Sequence, residues 1–312
     1  MGRYLVYRLL SAVPVLVVVS LVSFLIIFLV PGDPAAEIAG PGATSAEVER
    51  IRHQLGLDAP LYEQVVGYYG RLAQGDLGRS ILLGRGVGAA MLERAPITLS
   101  LTGLALIIAL TLGLLLGVVA AVRQNSWIDQ SSMTVALIGL SVPDFWLGLV
   151  MIYGFAVLLG WLPTGGYVDT SFASWARSMA MPALALGMTQ MGLLARITRA
   201  SMLEVLRQDY VRTARAKGLP EFVVIAKHAL ANSMVPVITV IGLIVGILLG
   251  GSVVIELVFS LPGVGRLIIG AILRRDYPVI QGGLLLTASI FVFVNLIVDI
   301  LYAYLDPRVR YD

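Results

Sequence analysis

Six apolar stretches, each long enough to cross a lipid bilayer as a helix, decide what this chain can fold into. They lie near residues 9–30, 98–122, 132–159, 181–200, 235–258 and 283–305. At a rise of about 1.5 Å per residue, a helix of about 20 residues spans the hydrocarbon core. Apolar residues make up 58% of the chain and charged residues 13%, which is about half the charge of a soluble domain. The sequence therefore predicts an all-α membrane protein with six transmembrane helices.

The first apolar stretch is interpreted as a retained span, residues 1–30. Basic residues before an apolar run also describe a signal peptide, but this run is long and Pro31-Gly32-Asp33-Pro34 is a poor cleavage site. Residues 31–97 are predicted to form a small external helical segment, and residues 98–305 a core of five spans. Within that core, residues 200–234 form a long loop between the fourth and fifth spans.

The distribution of arginine and lysine predicts the orientation of the spans. One side of the membrane carries 12 of them, whereas the other carries four once the long segment 31–97 is set aside. Long segments are set aside because the positive-inside bias is counted over short loops. Both termini and the 200–234 loop are therefore expected in the cytoplasm, in a multi-pass membrane protein.

The segment 31–97 is predicted to be folded rather than to be a flexible linker. Thr44 and Glu47 have the spacing of a capping box before a helix that ends at Gly56. A second helix is predicted from Pro60 to about Gly75, and a third over 87–94, leading into Pro96 and the second span. We expect these helices to pack on a neighbour or on the membrane surface rather than to contact a ligand.

A compact basic helix is predicted within the 200–234 loop, in the stretch from Gln208 to Gly218. Val211 and Ala214 fall on one face, and basic residues surround the rest. Gly218 is predicted to stop the helix, and Pro220 to start the next one. Residue types alone leave two interpretations open: a surface that another protein grips, or a solvated basic loop at the lipid surface.

Small residues recur at helical spacing within two spans. Gly242, Gly246 and Gly250 form a stripe in the fifth span, and Gly113 and Gly117 repeat the spacing once in the second. Such spacing lets helix backbones approach closely in lipid. We therefore predict a tightly packed face on the fifth span. Pro143 is predicted to kink the third span.

Three carboxylates fall in or near the apolar stretches, where an ionisable group is costly. Asp144 and Glu256 are candidates for lining an aqueous pathway or forming its gate, and packing between spans is the equally weighted alternative for both. Glu256 precedes residues 259–263, where a gating turn is predicted. For Asp299 the packing role is preferred.

Several kinds of chemistry are excluded by the residues that the chain lacks. It has no cysteine and no G-x-x-x-x-G-K-[ST] phosphate loop. Its two histidines, His53 and His228, lie outside the apolar stretches, which argues against an intramembrane serine protease and against a metal site. The net charge of +3 is explained by loop bias and does not suggest nucleic acid. We expect no enzymatic activity, no metal and no cofactor bound by this chain itself.

The motifs taken together resemble the permease subunits of type I ABC importers, and within them the peptide, nickel and glutathione branch. The resemblance covers essentially the whole chain. Its motifs are the loop 209–218, Arg8-Leu9-Leu10, Pro31-Gly32-Asp33-Pro34, residues 54–62, Gly75-Asp76-Leu77-Gly78-Arg79-Ser80, Leu261-Pro262-Gly263-Val264-Gly265 and Arg275-Asp276-Tyr277-Pro278-Val279. The chain is most similar to the B-type subunit, the first of two permeases, and the resemblance implies a location in the bacterial inner membrane.

This resemblance implies a heterodimer with a second homologous permease, two cytoplasmic ATPase subunits that hold ATP and Mg, and an external substrate-binding protein. The loop helix would couple to an ATPase subunit through Asp209, Tyr210, Val211, Arg212, Thr213, Ala214, Arg215, Ala216, Lys217 and Gly218. Arg212 departs from the glutamate that the broader family has there, while Ala214 and Gly218 keep the small residues expected for docking.

The function implied is ATP-driven import of dipeptides, oligopeptides, glutathione or a related small solute such as a nickel chelate, and the sequence does not choose among them. The competing class is a self-sufficient secondary transporter. That class calls for an internal repeat and for coupling carboxylates near the membrane midplane. The sequence shows no repeat, and only Asp144 fits such a carboxylate.

Overall fold

The computed structural model describes residues 2–29, 32–40 and 42–305, and this part of the chain is helical and without named strands. The α-helices are α1 Gly2–Leu29, α2 Pro34–Ala39, α3 Ser45–Leu55, α4 Leu61–Ala73, α5 Val87–Val122, α6 Trp127–Ser141, α7 Asp144–Met151, α8 Phe172–Leu206, α9 Asp209–Ala216, α10 Glu221–Val223, α11 Ala231–Val258, α12 Val264–Leu273 and α13 Tyr277–Leu305. Two π-helical stretches, Ile152–Leu158 and Val224–Leu230, continue α7 and join α10 to α11.

Five of the six predicted spans are single long helices, and the third corresponds to a bent pair of helices. Five helices within the described residues are long and apolar enough to cross a membrane, and they run over Tyr7–Leu29, Val87–Val122, Phe172–Leu206, Glu221–Val258 and Tyr277–Ile300. The sixth span is the pair Trp127–Ser141 and Asp144–Leu158, whose axes differ by 100°. The fourth and fifth helices extend well beyond the apolar stretches that predict them.

The kink predicted at Pro143 is a complete break between α6 and α7. Val142 and Pro143 both have extended backbones, with ψ angles of 124° and 139°. The proline ring disfavours helical geometry in the residue before it, so α6 ends at Ser141. The chain then changes direction, and Asp144 begins the next helix.

The short helix predicted over 87–94 is not a separate element. It forms the start of α5, which continues through Pro96 for 36 residues. Met91 and Ala95, in the turns before the proline, are both buried. Burial against neighbours stabilises a helix across the single hydrogen bond that a proline removes.

The chain divides into two compact units. Among the described residues, the first contains residues 2–5, Ile97–Pro262 and residues 293–305, and the second contains residues 6–96 and Gly263–Val292. In the first unit α8 is the central helix, because 72% of its most apolar window is buried, against 33% for α5. Its apolar side chains, such as Leu186, form a core together with side chains of α5 and α11, such as Leu101 and Leu248.

Close backbone contacts bring α5 and α6 against α8. A β-carbon on Gly117 would lie 2.6 Å from Cβ of Thr198 and 2.7 Å from the Ala195 carbonyl oxygen. A β-carbon on Gly139 of α6 would lie 2.8 Å from the Met188 carbonyl oxygen. Glycine is therefore required at both positions for the helices to approach as they do.

The second unit contains most of α1 and the short helices α2, α3 and α4 that follow it. The capping box predicted at Thr44 and Glu47 is present, and Gly56 ends α3 with a φ of +66°. The next helix begins at Leu61, one residue later than predicted, with Pro60 as its N-cap. The core of this unit is formed by the start of α5, by α12 and by the start of α13, with Met91, Ile268 and Tyr277 buried within it.

Candidate functional site

The basic loop between α8 and α11 contains a well-formed helix, α9. Gln208 precedes it with an extended backbone, and Asp209 lies in the first turn, where a carboxylate suits the helix dipole. Gly218 has a φ of +77° and ends the helix. Its N–H donates to the Arg215 carbonyl oxygen at 2.9 Å, and the Leu219 N–H donates to that of Ala214 at 3.4 Å. This is the Schellman pattern, and it confirms the predicted glycine stop.

One face of α9 is buried within the chain itself. Val211 is fully buried and Ala214 is 6% exposed. Both pack with Val224 of the following π-helical stretch and with Val205 and Leu206 at the end of α8. The small side chain of Ala214 is therefore used to seat α9 on its own loop. Its predicted use as a docking contact needs revision, because the chain already covers this residue.

The opposite face of α9 is exposed and basic. Tyr210, Arg212, Thr213 and Lys217 are all exposed. Arg212 lies 3.5 Å from Asp209, and both side chains are largely exposed to solvent. A surface pair of this kind contributes little stability. The cations on this face are therefore available to an acidic partner.

Arg215 is held by a residue that the sequence interpretation missed. Its Nη2 and Nε donate to the Glu221 carboxylate at 2.8 and 3.2 Å. This hydrogen bonding raises the pKa of Arg215 above its usual value. Glu221 begins the helix after Pro220, so the pair ties α9 to the start of the fifth span. A glutamate in a first helical turn, close in sequence to a basic helix, is the available signal for such a pair.

The loop joins two long helices without a flexible connection. α8 runs unbroken for 35 residues into the loop, and Glu221–Val258 forms a continuous helix of 38 residues out of it. The buried contacts of Val211 and Ala214 lie between these two helices. The packed side chains of this cluster therefore connect α9 to both of these helices.

Glu256 lies fully buried on α11. The Thr98 hydroxyl of α5 donates to its Oε1 at 2.6 Å. The Leu261 N–H donates to its backbone carbonyl oxygen at 2.8 Å, which fixes the turn that follows α11. These contacts support the packing alternative for Glu256, since they tie two spans and a turn together.

Asp144 is half-buried at the break in the third span. Its Oδ1 accepts the Phe145 N–H at 2.7 Å. Its Oδ2 faces α11, where it lies 3.0 Å from the position of a β-carbon on Gly251. Asp144 therefore lies against the fifth span, and its assignment to a pathway stays a prediction. Asp299 is also half-buried, on α13.

The glycine stripe of the fifth span does not form one packing face inside the chain. Gly242 is buried, and a β-carbon there would lie 3.3 Å from Cγ1 of Val298. Gly246 is half-buried. Gly250 is exposed, and a β-carbon there would meet no described atom within 4 Å. Of the two glycine motifs, the closer approaches are made by Gly113 and Gly117, where β-carbons would lie 2.9 and 2.6 Å from atoms of α8.

Two family descriptions match this chain. Residues 113–311 match the binding-protein-dependent transport system inner membrane component, and residues 1–102 match the N-terminal region of such membrane components. Among individual proteins, one from Brucella abortus (strain 2308), whose name assigns it to a peptide transport system as a permease, is 49% identical over 314 residues. The glutathione transport system permease protein GsiC of Escherichia coli (strain K12) is 47% identical over 311 residues. Both alignments cover 100% of each chain.

The fold is also found in solved structures. Two crystal forms of the MetNI methionine ABC transporter, described as inward facing, superpose with TM-scores of 0.58 and 0.57. They cover 69% and 70% of this chain and 96% of each neighbour, at 18% and 17% identity. This likeness concerns the fold, which is that of a type I ABC importer permease. With its six spans and full-length family match, the chain belongs to the inner membrane components of binding-protein-dependent transport systems and is a permease subunit of an ABC importer.

Proposed function

We propose that this permease imports di- or oligopeptides, glutathione or a related small solute. The observation that carries the proposal is identity of 47–49% over the whole length to relatives named for peptide and glutathione transport. The permease acts as one half of a heterodimer, with a second homologous permease as the other. Two cytoplasmic ATPase subunits bind ATP with Mg and hydrolyse it, and an external binding protein delivers the solute.

The role proposed for the loop is to couple those ATPase subunits to the spans. The 200–234 loop then lies in the cytoplasm, as do both termini. α9 suits this role because one face is anchored by Val211 and Ala214 while the other presents exposed cations. Movement of a docked subunit displaces α9, and the packed contacts carry that displacement to α8 and α11. The bundle then alternates between two states that open to opposite sides.

The identity of the solute is tested with the cognate binding protein and the reconstituted complex. Binding of a dipeptide, a longer peptide and glutathione is measured by calorimetry on the purified binding protein. Uptake of the solute that binds is then measured in proteoliposomes with and without ATP. We expect uptake that requires ATP and the binding protein. Uptake driven by an ion gradient, without ATPase subunits, would contradict the proposal and identify a secondary transporter.

A further inference from the structure

A cavity of about 300 Å³ lies in the second unit. It is bounded by the residues after Ser80, by the start of α5, by α12 and by the start of α13. Three arginines line it, Arg94, Arg266 and Arg274, together with one carboxylate, Asp276. The cavity therefore carries an excess of positive charge.

The carboxylate of Asp276 is already engaged within the chain. Its Oδ2 accepts the Ser80 hydroxyl at 2.5 Å and the Leu82 N–H at 3.3 Å, and its Oδ1 accepts the Ile81 N–H at 3.4 Å. Asp276 is 2% exposed. These bonds shape the rim of the cavity and direct the carboxylate to the loop 80–82. They do not direct it to the arginines.

Within the described part of the chain, two of the three arginines make no hydrogen bond or ion pair, although the charge of Arg94 interacts through space with the adjacent Glu93. Among the residues that the structure describes, no hydrogen bond or ion pair engages the guanidinium of Arg94 or Arg274. Arg94 is half-buried, so its charge is partly removed from water. A cation held in this way is stabilised by an anion, and guanidinium groups bind phosphate oxygens in a two-point geometry.

Apolar side chains surround the same cavity. Leu82, Leu83 and Leu273 all line it and are 50%, 42% and 80% exposed. Two of the cavity's arginines lie beside predicted spans. Arg94 lies four residues before the apolar stretch 98–122 of α5, and Arg274 lies three residues before α13 begins at Tyr277. Basic residues at the ends of spans lie at the depth of lipid headgroups.

We propose that this cavity binds the phosphate of an anionic phospholipid, with Arg94 and Arg274 on the phosphate and the three leucines against the acyl chains. Free phosphate shares the same recognition chemistry, but it offers nothing to the exposed leucines. An acidic protein surface would also pair with the arginines. Its polar groups, however, would be buried against Leu273 without hydrogen-bond partners, which costs free energy.

The test uses the full-length complex as it purifies in detergent, after removal of bound lipid. Native mass spectrometry measures the binding of phosphatidylglycerol and of phosphatidylcholine, which differ in net charge. We expect phosphatidylglycerol to bind more tightly. Arg94→Gln and Arg274→Gln should each weaken that binding about fivefold, the effect of one basic residue at an anionic lipid surface. Arg274→Lys keeps the charge and should retain most of the binding. Arg71→Gln, at an exposed arginine of α4 outside this cavity, is the matched control.

Three outcomes would overturn the proposal. The first is equal affinity for the two lipids, or equal affinity of the Arg94→Gln and Arg71→Gln variants for phosphatidylglycerol. The second is displacement of phosphatidylglycerol by inorganic phosphate at comparable concentration, which would indicate a site for free anions. The third comes from a photo-crosslinking residue at position 273. Capture of a protein subunit instead of lipid there would indicate a protein contact.

Discussion

Arg199 of α8 and Asp129 of α6 form a two-point ion pair inside the first unit. Nε and Nη2 of the arginine donate to Oδ1 and Oδ2 of the aspartate, both at 2.7 Å. The aspartate side chain is 5% exposed and that of the arginine 27%. The Asn125 N–H also donates to Oδ2, at 3.0 Å. The pair fixes the first half of the broken span to the central helix.

Asp129→Asn should destabilise the protein by about 3 kcal/mol, because it leaves the Arg199 charge without its partner. The measurement is thermal unfolding of the purified chain, followed by intrinsic fluorescence. Glu93→Gln is the control, since its partner Arg85 and Glu93 itself are both exposed. An unchanged Tm in Asp129→Asn would show that the pair contributes nothing to the fold.

Gly117→Ala should destabilise the protein by about 1–3 kcal/mol through overpacking against α8. The added methyl group would overlap Thr198 and the Ala195 carbonyl oxygen, and a backbone atom cannot move aside cheaply. Gly250→Ala, at an open position, should leave the stability of the chain unchanged. The same thermal assay compares the two variants, and equal tolerance would contradict the close contact. If Gly250→Ala instead reduces co-purification of the second permease, its face is a subunit contact.

Arg212→Glu should reduce retention of the ATPase subunits relative to the wild type. This difference should become smaller at high salt, because salt screens the interaction between charges. Arg212 is exposed on α9, so the fold itself should be unaffected. ATPase subunits retained on purification are measured together with substrate-stimulated hydrolysis. Arg50→Glu on α3, an exposed arginine outside the loop, is the control. Unchanged retention in Arg212→Glu would leave α9 without a docking role.

Ala214→Trp should also impair coupling, but by a different route from the one that the sequence suggests. The indole would overlap Val224 and Leu206 within the chain, so the loop itself should be disrupted. Limited proteolysis of the 200–234 loop distinguishes this from a lost contact with a partner. We expect faster cleavage in Ala214→Trp and wild-type cleavage in Arg212→Glu. Wild-type resistance in Ala214→Trp would show that this face of α9 is not buried.

Thr98→Val should destabilise the protein by about 1–3 kcal/mol, because it removes a hydrogen bond to the buried Glu256 carboxylate. Thr111→Val on the same helix is the control, since Thr111 is exposed and bonds only to its own turn. Stability is measured by thermal unfolding, and transport by uptake in proteoliposomes. Loss of uptake at unchanged stability in Thr98→Val would favour a gating role for Glu256 over packing.

Accessibility labelling of single cysteines tests the proposed orientation, in a chain that has no native cysteine. Positions 125 and 215 should react only from the cytoplasm, and positions 70 and 170 only from outside. The asymmetry of arginine and lysine between the short loops motivates this expectation. Labelling of positions 70 and 215 from the same side would contradict it.

The sequence by itself determined the features that depend on local interactions. The apolar stretches predict the six spans, because crossing lipid requires a minimum length of apolar helix. The capping box at Thr44 and the glycine stop at Gly218 follow from hydrogen bonds within a few residues. Propensity and periodicity report such contacts directly, so these predictions are confirmed.

The tertiary structure alone decided which residues meet across the fold. Asp129 and Arg199 are 70 residues apart in the chain. The sequence around each residue does not identify the other as its partner. Gly117 packs closely while Gly250 is open, although the spacing of the two motifs is the same. Ala214 is buried by Val224 rather than offered to a partner. Pro143 predicts that the third span bends, but it does not predict the angle. The observed angle of 100° depends on the helices against which α6 and α7 pack. Periodicity shows that a helix has a particular face, but the partner of that face is chosen by contacts distant in sequence, where shape and charge must match.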